Sequence, residues 1–340
     1  MLRLVVLLAM LAVSSVHAQL QQNWAAWCTP PLVDIAAWDT ATDLPAGVQG
    51  PAGTILADGR IMIAGGAKNI VGATADVTFG TISGLTITWV AGTNLPAVRY
   101  APTANTLADG RVLVIGGETT PSNAAQTTTR FATISGNTIT WNTGTALPAA
   151  RSRHTANLLS DGRILVMGGS TNGSNAQTTT YFGTISGTTI TWNTGTALPA
   201  ARRDHNTTIL QDGRVLVTGG NDGSAAQSTS WLGTISGTTI TWVTSTALPA
   251  VRLNHATSLI NDGRVLVTGG DDGSTEVLTS WFGTVVSDTI SWVVTTNLTA
   301  SRRDHVSLLL NDGRVLLTAG IRGANYLTNS RVTQWGGGGC

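Results

Sequence analysis

Residues 202–220 read Arg-Arg-Asp-His-Asn-Thr-Thr-Ile-Leu-Gln-Asp-Gly-Arg-Val-Leu-Val-Thr-Gly-Gly. A first run of β-forming residues leads to the turn Asp212-Gly213, and a second run ends in the pair Gly219-Gly220. Asp-Gly favours a tight turn between antiparallel strands, because glycine adopts a positive φ without strain. The stretch therefore predicts a β-hairpin.

The same hairpin recurs six times along the 340 residues. Its turn aspartates lie 50 to 52 residues apart, at Asp58, Asp109, Asp161, Asp212, Asp262 and Asp312. A repeat of this length is typical of propeller arrays rather than of the shorter ankyrin or leucine-rich repeats. We therefore expect one repeat domain built from six equivalent units.

Each complete unit is predicted to contain four strands, which we name a to d in chain order. In the third copy they are expected near His154–Leu159, Arg163–Met167, Thr178–Ile185 and Thr188–Trp192. Strand b is apolar on both faces, which favours a position between neighbouring sheets. Strand d alternates threonine with isoleucine and tryptophan, as expected for an outer strand with one wet face. A tryptophan of strand d precedes every turn aspartate by 20 residues, and this repetition indicates a packing role between blades.

The two ends of the array complement each other. Trp38 lies in a d-like segment, Val33–Trp38, that no complete blade precedes, whereas the last copy ends with a c-like segment, Thr328–Trp335, and has no d strand. Pairing these segments closes the ring and covers two open sheet edges. The sequence therefore predicts an all-β, six-bladed β-propeller over residues 33–335, closed by an N-terminal strand that completes the last blade.

The segments outside the propeller predict export. The N-terminus resembles a secretory signal: it has a basic start, an apolar run from Leu4 to Val13 and small residues before Gln19. We therefore expect residues 1–18 to be removed by cleavage after Ala18. Residues 19–32 form a lead-in segment and residues 336–340 a glycine-rich tail. The expected location is secreted, periplasmic or cell-surface, with no transmembrane segment in the mature chain.

Charge excludes one class of partner. Without Arg3 the chain has 18 basic and 18 acidic residues, and charged residues are 11% of the sequence. A neutral chain lacks the basic surface that binds nucleic acid or anionic membranes. We therefore expect no nucleic-acid partner.

The repeated words resemble a known family. The pattern consists of Arg-x-x-His, then Leu-x-Asp-Gly-Arg-Val-Leu-Val-x-Gly-Gly, a later Trp and finally Leu-Pro-x-x-Arg. This pattern is similar to the kelch repeat, in particular to the bacterial repeats related to the central propeller of galactose oxidase. The resemblance covers roughly residues 33 to 335, with Ala319-Gly320 as a departure from the glycine pair. It implies a propeller that acts mostly as an interaction scaffold and, in a minority of members, as an enzyme.

The resemblance does not extend to the oxidase copper site. That chemistry requires a tyrosine linked to cysteine together with further tyrosine and histidine ligands, whereas this chain has Tyr100, Tyr181 and Tyr326, and its cysteines lie at the two ends. The sequence therefore predicts no copper, no other cofactor and no catalytic residue.

Four histidines occupy one position in consecutive blades, at His154, His205, His255 and His305. Equivalent residues of a ring lie on a circle, which does not produce compact metal coordination. We expect these histidines to form structural hydrogen bonds and to bind no metal.

A ligand is expected on one face of the ring. Since strand d leads to the next strand a, the b–c and d–a loops share one face, the loop face, and the Asp-Gly and c–d turns share the opposite turn face. The candidate ligand-binding residues on the loop face are Arg99, Arg151, Arg153, Arg202, Arg203, Arg252, Arg302, Arg303, Asp222, Asp271 and Asp272. The arginines either pair with nearby acids and loop carbonyls and stiffen the rim, or form a partner site for carboxylates.

The leading functional prediction is a non-catalytic kelch scaffold that binds a protein or a glycan through the loop face. The alternatives are an extracellular carbohydrate-active enzyme, lyase or oxidase-like, and a purely structural surface protein. An enzyme predicts perturbed carboxylates or histidines on the loop face, and a binder predicts a shallow arginine-rich mouth.

Cys28 and Cys340 leave three alternatives open. Ring closure brings both ends to one blade, so export permits a disulfide that locks the ring. The glycine run before Cys340 also resembles the start of a C-terminal sorting tag and so suggests surface attachment. A free thiol is the third alternative.

Overall fold

The computed structural model describes residues 34–68, 72–119 and 124–336, and these residues are all-β. Six antiparallel four-stranded sheets form the blades of a propeller, and two short two-stranded hairpins, β8–β9 (Glu118–Thr119 and Ala124–Ala125) and β26–β27 (Ile321–Arg322 and Asn325–Tyr326), extend b–c loops. The predicted six-bladed architecture is confirmed.

The blades follow one another along the chain. Blade 1 contains β2 (Ala52–Ile55), β3 (Ile61–Ala64), β4 (Val77–Ser83) and β5 (Thr86–Ala91). Blade 2 contains β6 (Thr103–Thr106), β7 (Val112–Ile115), β10 (Thr129–Ser135) and β11 (Thr138–Thr143). Blade 3 contains β12 (Thr155–Leu158), β13 (Ile164–Met167), β14 (Thr180–Ser186) and β15 (Thr189–Thr194).

Blade 4 contains β16 (Asn206–Ile209), β17 (Val215–Thr218), β18 (Ser230–Ser236) and β19 (Thr239–Ser245). Blade 5 contains β20 (Ala256–Leu259), β21 (Val265–Thr268), β22 (Ser280–Val286) and β23 (Thr289–Thr295). Blade 6 contains β24 (Val306–Leu309), β25 (Val315–Thr318), β28 (Ser330–Trp335) and the first strand of the chain, β1 (Ile35–Ala41).

Ring closure takes the predicted form. β1 pairs antiparallel with β28, and the register runs from Ile35 opposite Trp335 to Ala41 opposite Ser330. The predicted closing segment ends at Trp38, whereas β1 continues for three more residues, since β28 offers pairing partners along that length. Elsewhere the expected strand limits differ from the observed ones by a few residues.

Apolar packing lies between blades. Each of the six buried clusters in the described part of the chain combines residues of two neighbouring blades; one, for example, joins Phe131 of β10 to Ile164 of β13. All four residues of every strand b are buried, as a strand covered on both faces requires. The indole of Trp192 is partly buried against this packing, and its Nε1 donates to the carbonyl of Thr145 in the preceding blade at 3.2 Å.

On the turn face, arginines of the Asp-Gly-Arg turns connect adjacent blades in an arrangement that we call the turn-face clasp. Arg111 Nε donates to Asp109 Oδ2 at 2.8 Å, and its Nη1 donates to the carbonyl of Gly187 in the c–d turn of the next blade at 2.8 Å. Its guanidinium also lies 4.6 Å from the ring centre of Phe131. Arginines of four other turns reach the next blade in the same way, at Arg60, Arg163, Arg214 and Arg314.

Several sequence expectations fall outside the described residues. These are the signal segment 1–18, the lead-in 19–32, residues 337–340 of the tail, and both cysteines, Cys28 and Cys340. In the part of the chain that is described, no helix has the length and apolar character needed to cross a membrane.

Candidate functional site at the mouth of the channel

Six residues encircle the loop-face end of the central channel, two positions before each strand a. We call them the mouth ring: Gly50, Ala101, Arg153, Asp204, Asn254 and Asp304. All have φ between 49° and 56°. The backbone N–H of each donates to the carbonyl of the ring residue in the preceding blade, at 2.9 to 3.3 Å, so that the ring is closed. The backbone repeats sixfold here, whereas the side chains differ between most blades.

Two carboxylates of the mouth ring are joined through an amide. With its nitrogen oriented toward them, Asn254 Nδ2 donates to Asp204 Oδ1 at 3.0 Å and to Asp304 Oδ1 at 2.9 Å. Asp304 Oδ2 also accepts from Gln49 Nε2 at 2.7 Å, and Asp204 Oδ2 lies 2.5 Å from Arg203 Nη1. The pair is thus held at a fixed separation with every oxygen in contact with a donor.

Arg153 extends the network to the neighbouring blade. Its Nη2 donates to Oε1 of the fully buried Glu118 at 3.0 Å, and its Nη1 lies 3.7 Å from Asp204 Oδ1. The same guanidinium lies 5.3 Å from the ring centre of Tyr100, whose hydroxyl accepts from Gln49 Nε2 at 3.2 Å. Charges of both signs and an aromatic ring are therefore packed together across the mouth.

Burial shifts the titration of this network. Burial and the nearby charge of Asp204 raise the pKa of Asp304 to about 6. Burial also raises the pKa of Asp204, although Arg153 and Arg203 offset part of that effect. Burial and the Asp304 carboxylate raise the pKa of Tyr100 well above its usual value. The two coupled aspartates therefore accept a proton more readily than exposed aspartates do.

Three predicted ligand residues lie at this mouth with partly exposed side chains. They are Arg153, Arg203 and Arg303. The most exposed of these side chains, that of Arg303 at 30%, has its Nε 3.1 Å from Glu276 Oε1 and 3.8 Å from Asp271 Oδ2, and its Nη1 3.7 Å from Asp304 Oδ2. All three arginines are paired with acids, which is the arrangement expected of a stiffened rim.

The other five predicted arginines lie buried between blades. Arg99, Arg151, Arg202, Arg252 and Arg302 are between 1% and 7% exposed. Arg252, for example, donates to the carbonyl of Val251 at 3.1 Å and to Thr279 Oγ1, with its guanidinium 4.3 Å from the ring centre of Trp281. Burial lowers the pKa of Arg252 to about 10, so it remains charged at neutral pH. Carbonyls, hydroxyls and aromatic faces thus replace water around these cations.

The predicted aspartates shape the b–c loops. Asp222 Oδ1 accepts from the backbone N–H groups of Ser224 and Ala225 at 2.8 Å, and these bonds lower its pKa. Asp272 Oδ1 makes the matching pair of bonds in blade 5. Asp271 accepts from the N–H of Gly273 at 2.6 Å and faces Arg303.

The four histidines make hydrogen bonds with threonine hydroxyls, as expected. His154 is buried and its Nε2 makes a hydrogen bond with Thr103 Oγ1 of the preceding blade at 3.2 Å. A Cβ at Gly169, where φ is +87°, would lie 2.5 Å from the His154 Cβ, and one at Gly116 would lie 2.9 Å from its Cε1. The glycine pairs therefore make room for the histidines. Burial lowers the pKa of His154, His205 and His255 to about 3, which keeps these rings neutral.

The sequence did not single out Tyr100, Glu118, Asn254, Asp204 or Asp304 as site residues. The available signal was the position directly before each His or Pro of the repeat, which reads Gly, Ala, Arg, Asp, Asn, Asp around the ring. A variable position inside a strongly repeated sequence motif marks the place where the blades differ in chemistry.

A family model identifies the family of this chain. The KLHDC2/KLHL20/DRC7 Kelch-repeats domain family matches residues 50–270. Because this match spans more than half of the chain, the chain belongs to the kelch-repeat family, and the resemblance inferred from the sequence is confirmed. No curated protein sequence matches the chain.

Two solved structures share the fold. YjhT superposes with a TM-score of 0.69 at 14% identity, over 87% of this chain and 95% of that chain. A fungal alcohol oxidase of the AA5 family, solved in complex with copper, gives a TM-score of 0.65 at 15% identity, over 88% of this chain and 76% of that chain. Such low identities show a common fold alone. Within residues 34–68, 72–119 and 124–336, no group of three or more His, Cys, Asp or Glu side chains is arranged to hold a metal ion.

Proposed function

We propose that this kelch propeller is a binding scaffold that recognises a protein or a glycan at the loop face. The observation that carries the proposal is the mouth ring, whose backbone repeats in all six blades while its side chains differ and are charged or polar in four of them. Arg203 and Arg303 border the ring with partly exposed guanidinium groups, which suit carboxylates and polar ligand groups.

Binding should depend on the loop face. The double substitution Arg203→Ala and Arg303→Ala is expected to weaken binding of the partner about tenfold or more. Both guanidinium groups at the rim are lost, and with them the contacts that orient the aspartates. The partner is first identified by screening the purified mature chain against glycans and surface proteins, and its affinity is then measured by calorimetry.

Arg163→Ala is the matched control on the turn face. It removes a clasp that donates to the carbonyl of Gly237 at 2.7 Å, so it should lower stability while leaving the affinity of the folded protein unchanged. Loss of affinity through Arg163 alone would show that the partner binds the turn face.

A second candidate is an extracellular carbohydrate-active enzyme, for example a lyase. The observation that favours it is the neighbouring pair Asp204 and Asp304, because paired carboxyls with raised pKa values are a feature of acid–base sites. Asp304→Asn should then abolish turnover of a bound glycan while leaving its affinity nearly unchanged. Unchanged glycan after prolonged incubation with the parent protein would reject this candidate.

We also propose that the chain is exported, with a cut after Ala18, and is secreted, periplasmic or cell-surface. The support is the signal-like start. Mass mapping of the exported protein without reduction provides the test. A linked Cys28–Cys340 peptide supports a locked ring, a modified or missing C-terminus supports surface attachment, and an uncut N-terminus contradicts export.

A further inference from the structure

The central channel is a cavity distinct from the loop-face rim. It has a volume of about 350 Å³ and is lined by the inner strands of all six blades. Small-molecule sites are typically about 300–1,000 Å³, so this cavity has the size for one small ligand. The backbone hydrogen bonds of the mouth ring lie across its loop-face end.

The channel wall carries no formal charge. Its lining residues include no Asp, Glu, Lys or Arg. His154 and His205 belong to the lining, and burial lowers the pKa of both to about 3, so these rings are neutral at physiological pH. An ionic ligand would lose its hydration here without gaining a counter-charge. The chemistry therefore favours a neutral ligand.

One side of the wall is polar and preorganised. Thr207 Oγ1 donates to Asn157 Oδ1, and Thr257 Oγ1 donates to Asn206 Oδ1 at 2.7 Å. These bonds cross from blade to blade and fix the amide and hydroxyl groups before any ligand enters. Fixed polar groups lose little conformational freedom on binding.

The opposite side combines hydrocarbon with the imidazole of His305 and the hydroxyl of Ser307. Blades 1 and 6 contribute Pro51, Ala52, Gly53 and Val306 to the lining. Val306 packs so closely on the neighbouring backbone that a Cβ at Gly53 would lie 2.3 Å from its Cγ1. The channel thus presents amide and hydroxyl groups on one side and, opposite them, a mixed surface in which Pro51 supplies hydrocarbon. A sugar ring has matching surfaces, with C–H groups on its faces and hydroxyls on its edge.

We propose that the central channel binds a neutral, polyhydroxylated ligand of monosaccharide size, with its hydroxyls toward Asn157, Asn206 and Thr207 and its C–H groups toward Pro51. This site is separate from the loop-face partner site. Either can exist without the other.

The test uses the complete mature protein. Titration with D-glucose, D-galactose and myo-inositol at millimolar concentration, followed by calorimetry or ligand-observed NMR, should detect binding of at least one. D-Glucuronate is the charged control, and it should bind at least tenfold more weakly than the neutral ligand. This comparison needs no variant.

A matched pair of substitutions locates the site within one blade. Asn157→Leu changes the inner strand β12, whereas Asn193→Leu makes the same change on the exposed face of the outer strand β15. Asn157→Leu should weaken sugar binding about fivefold or more, because a neutral hydrogen bond is lost, and Asn193→Leu should leave it unchanged.

Three binding results overturn the proposal. The first is that no neutral probe binds, which means that the channel holds water only. The second is that glucuronate binds as tightly as the neutral ligand. The third is that the two substitutions have equal effects on sugar binding. A crystal structure that places the sugar at the mouth ring would also overturn it, while supporting the proposed glycan-binding function. Loss of loop-face binding in Arg303→Ala has no bearing on the channel site.

Discussion

At the scale of single residues, neighbouring arginines have different roles. Arg202 is buried between blades with its guanidinium 4.5 Å from the ring centre of Trp231, whereas Arg203 lies at the rim and contacts Asp204. Successive side chains of an extended segment point in opposite directions. In this pair, Arg202 is therefore a structural cation and Arg203 a cation of the rim. The number of arginines on the loop face does not distinguish these two roles.

Asp304→Asn should change the pH dependence of stability. The pKa of Asp304 is about 6 in the folded chain against an ordinary 3.8, so folding favours its protonated form. Its stabilising contribution is complete below about pH 4 and is lost as pH rises through 6. The shift of roughly two units corresponds to at most about 3 kcal/mol. Urea unfolding at pH 4 and pH 7 should therefore show that the free energy of unfolding of the variant, relative to that of the parent, is larger at pH 7 than at pH 4.

Asp109→Asn is the control for the sign of this effect. The hydrogen bond from Arg111 lowers the pKa of Asp109, so its contribution to stability is present at neutral pH and is lost on acidification. The variant should lose stability relative to the parent at pH 7 and recover at low pH. Identical pH profiles for the parent and Asp304→Asn would show that the carboxylate network does not titrate as a buried pair.

At the scale of strands and turns, the repeated words carried most of the information. Asp-Gly turns and glycine pairs set the strand limits to within a few residues, because each needs a positive φ; Gly162, for example, has φ +83°. The mouth ring was not foreseen, because its backbone is repeated while its side chains are not. Glu118 belongs to a b–c loop and Arg153 to the next blade, so their contact depends on the assembled ring.

The turn-face clasp should require arginine rather than any cation. Arg111→Lys removes the fork that contacts Asp109 and the carbonyl of Gly187 at once, and lysine offers a single ammonium in its place. We expect a loss of about 1–2 kcal/mol in the free energy of unfolding, measured by urea denaturation. Full stability of the lysine variant would mean that the clasp acts as a simple charge pair, and Arg111→Ala provides the lower limit.

At the scale of the whole molecule, one strand holds the ring together. Blade 6 receives β24, β25 and β28 from the end of the chain and β1 from its beginning. Thr296 Oγ1 of the preceding blade donates to the carbonyl of Ile35, and Trp38 Nε1 donates to the carbonyl of Thr296 at 3.0 Å. The closing strand is thus tied to blade 5 as well as to blade 6.

Deletion of residues 19–40 should open the propeller. The edge of β28 loses its partner at every position of the register except that of Ala41, and an open sheet edge promotes aggregation. We expect a broad, non-cooperative thermal transition together with larger species in size-exclusion chromatography. Deletion of residues 19–33, which keeps β1, is the control. If both truncated proteins melt as sharply as the parent, closure by β1 does not stabilise the ring.

The pairing of β1 with β28 also determines when the molecule can be completed during biosynthesis. β1 is synthesised before every other described strand and β28 after all of them, so the nascent chain must keep its earliest strand available until residue 335 has been made. Local hairpins form within microseconds, whereas contacts between distant parts of a chain form slowly. The blades are therefore expected to mature one after another as an open array, and a single encounter between the oldest and the newest strand is the last step of assembly.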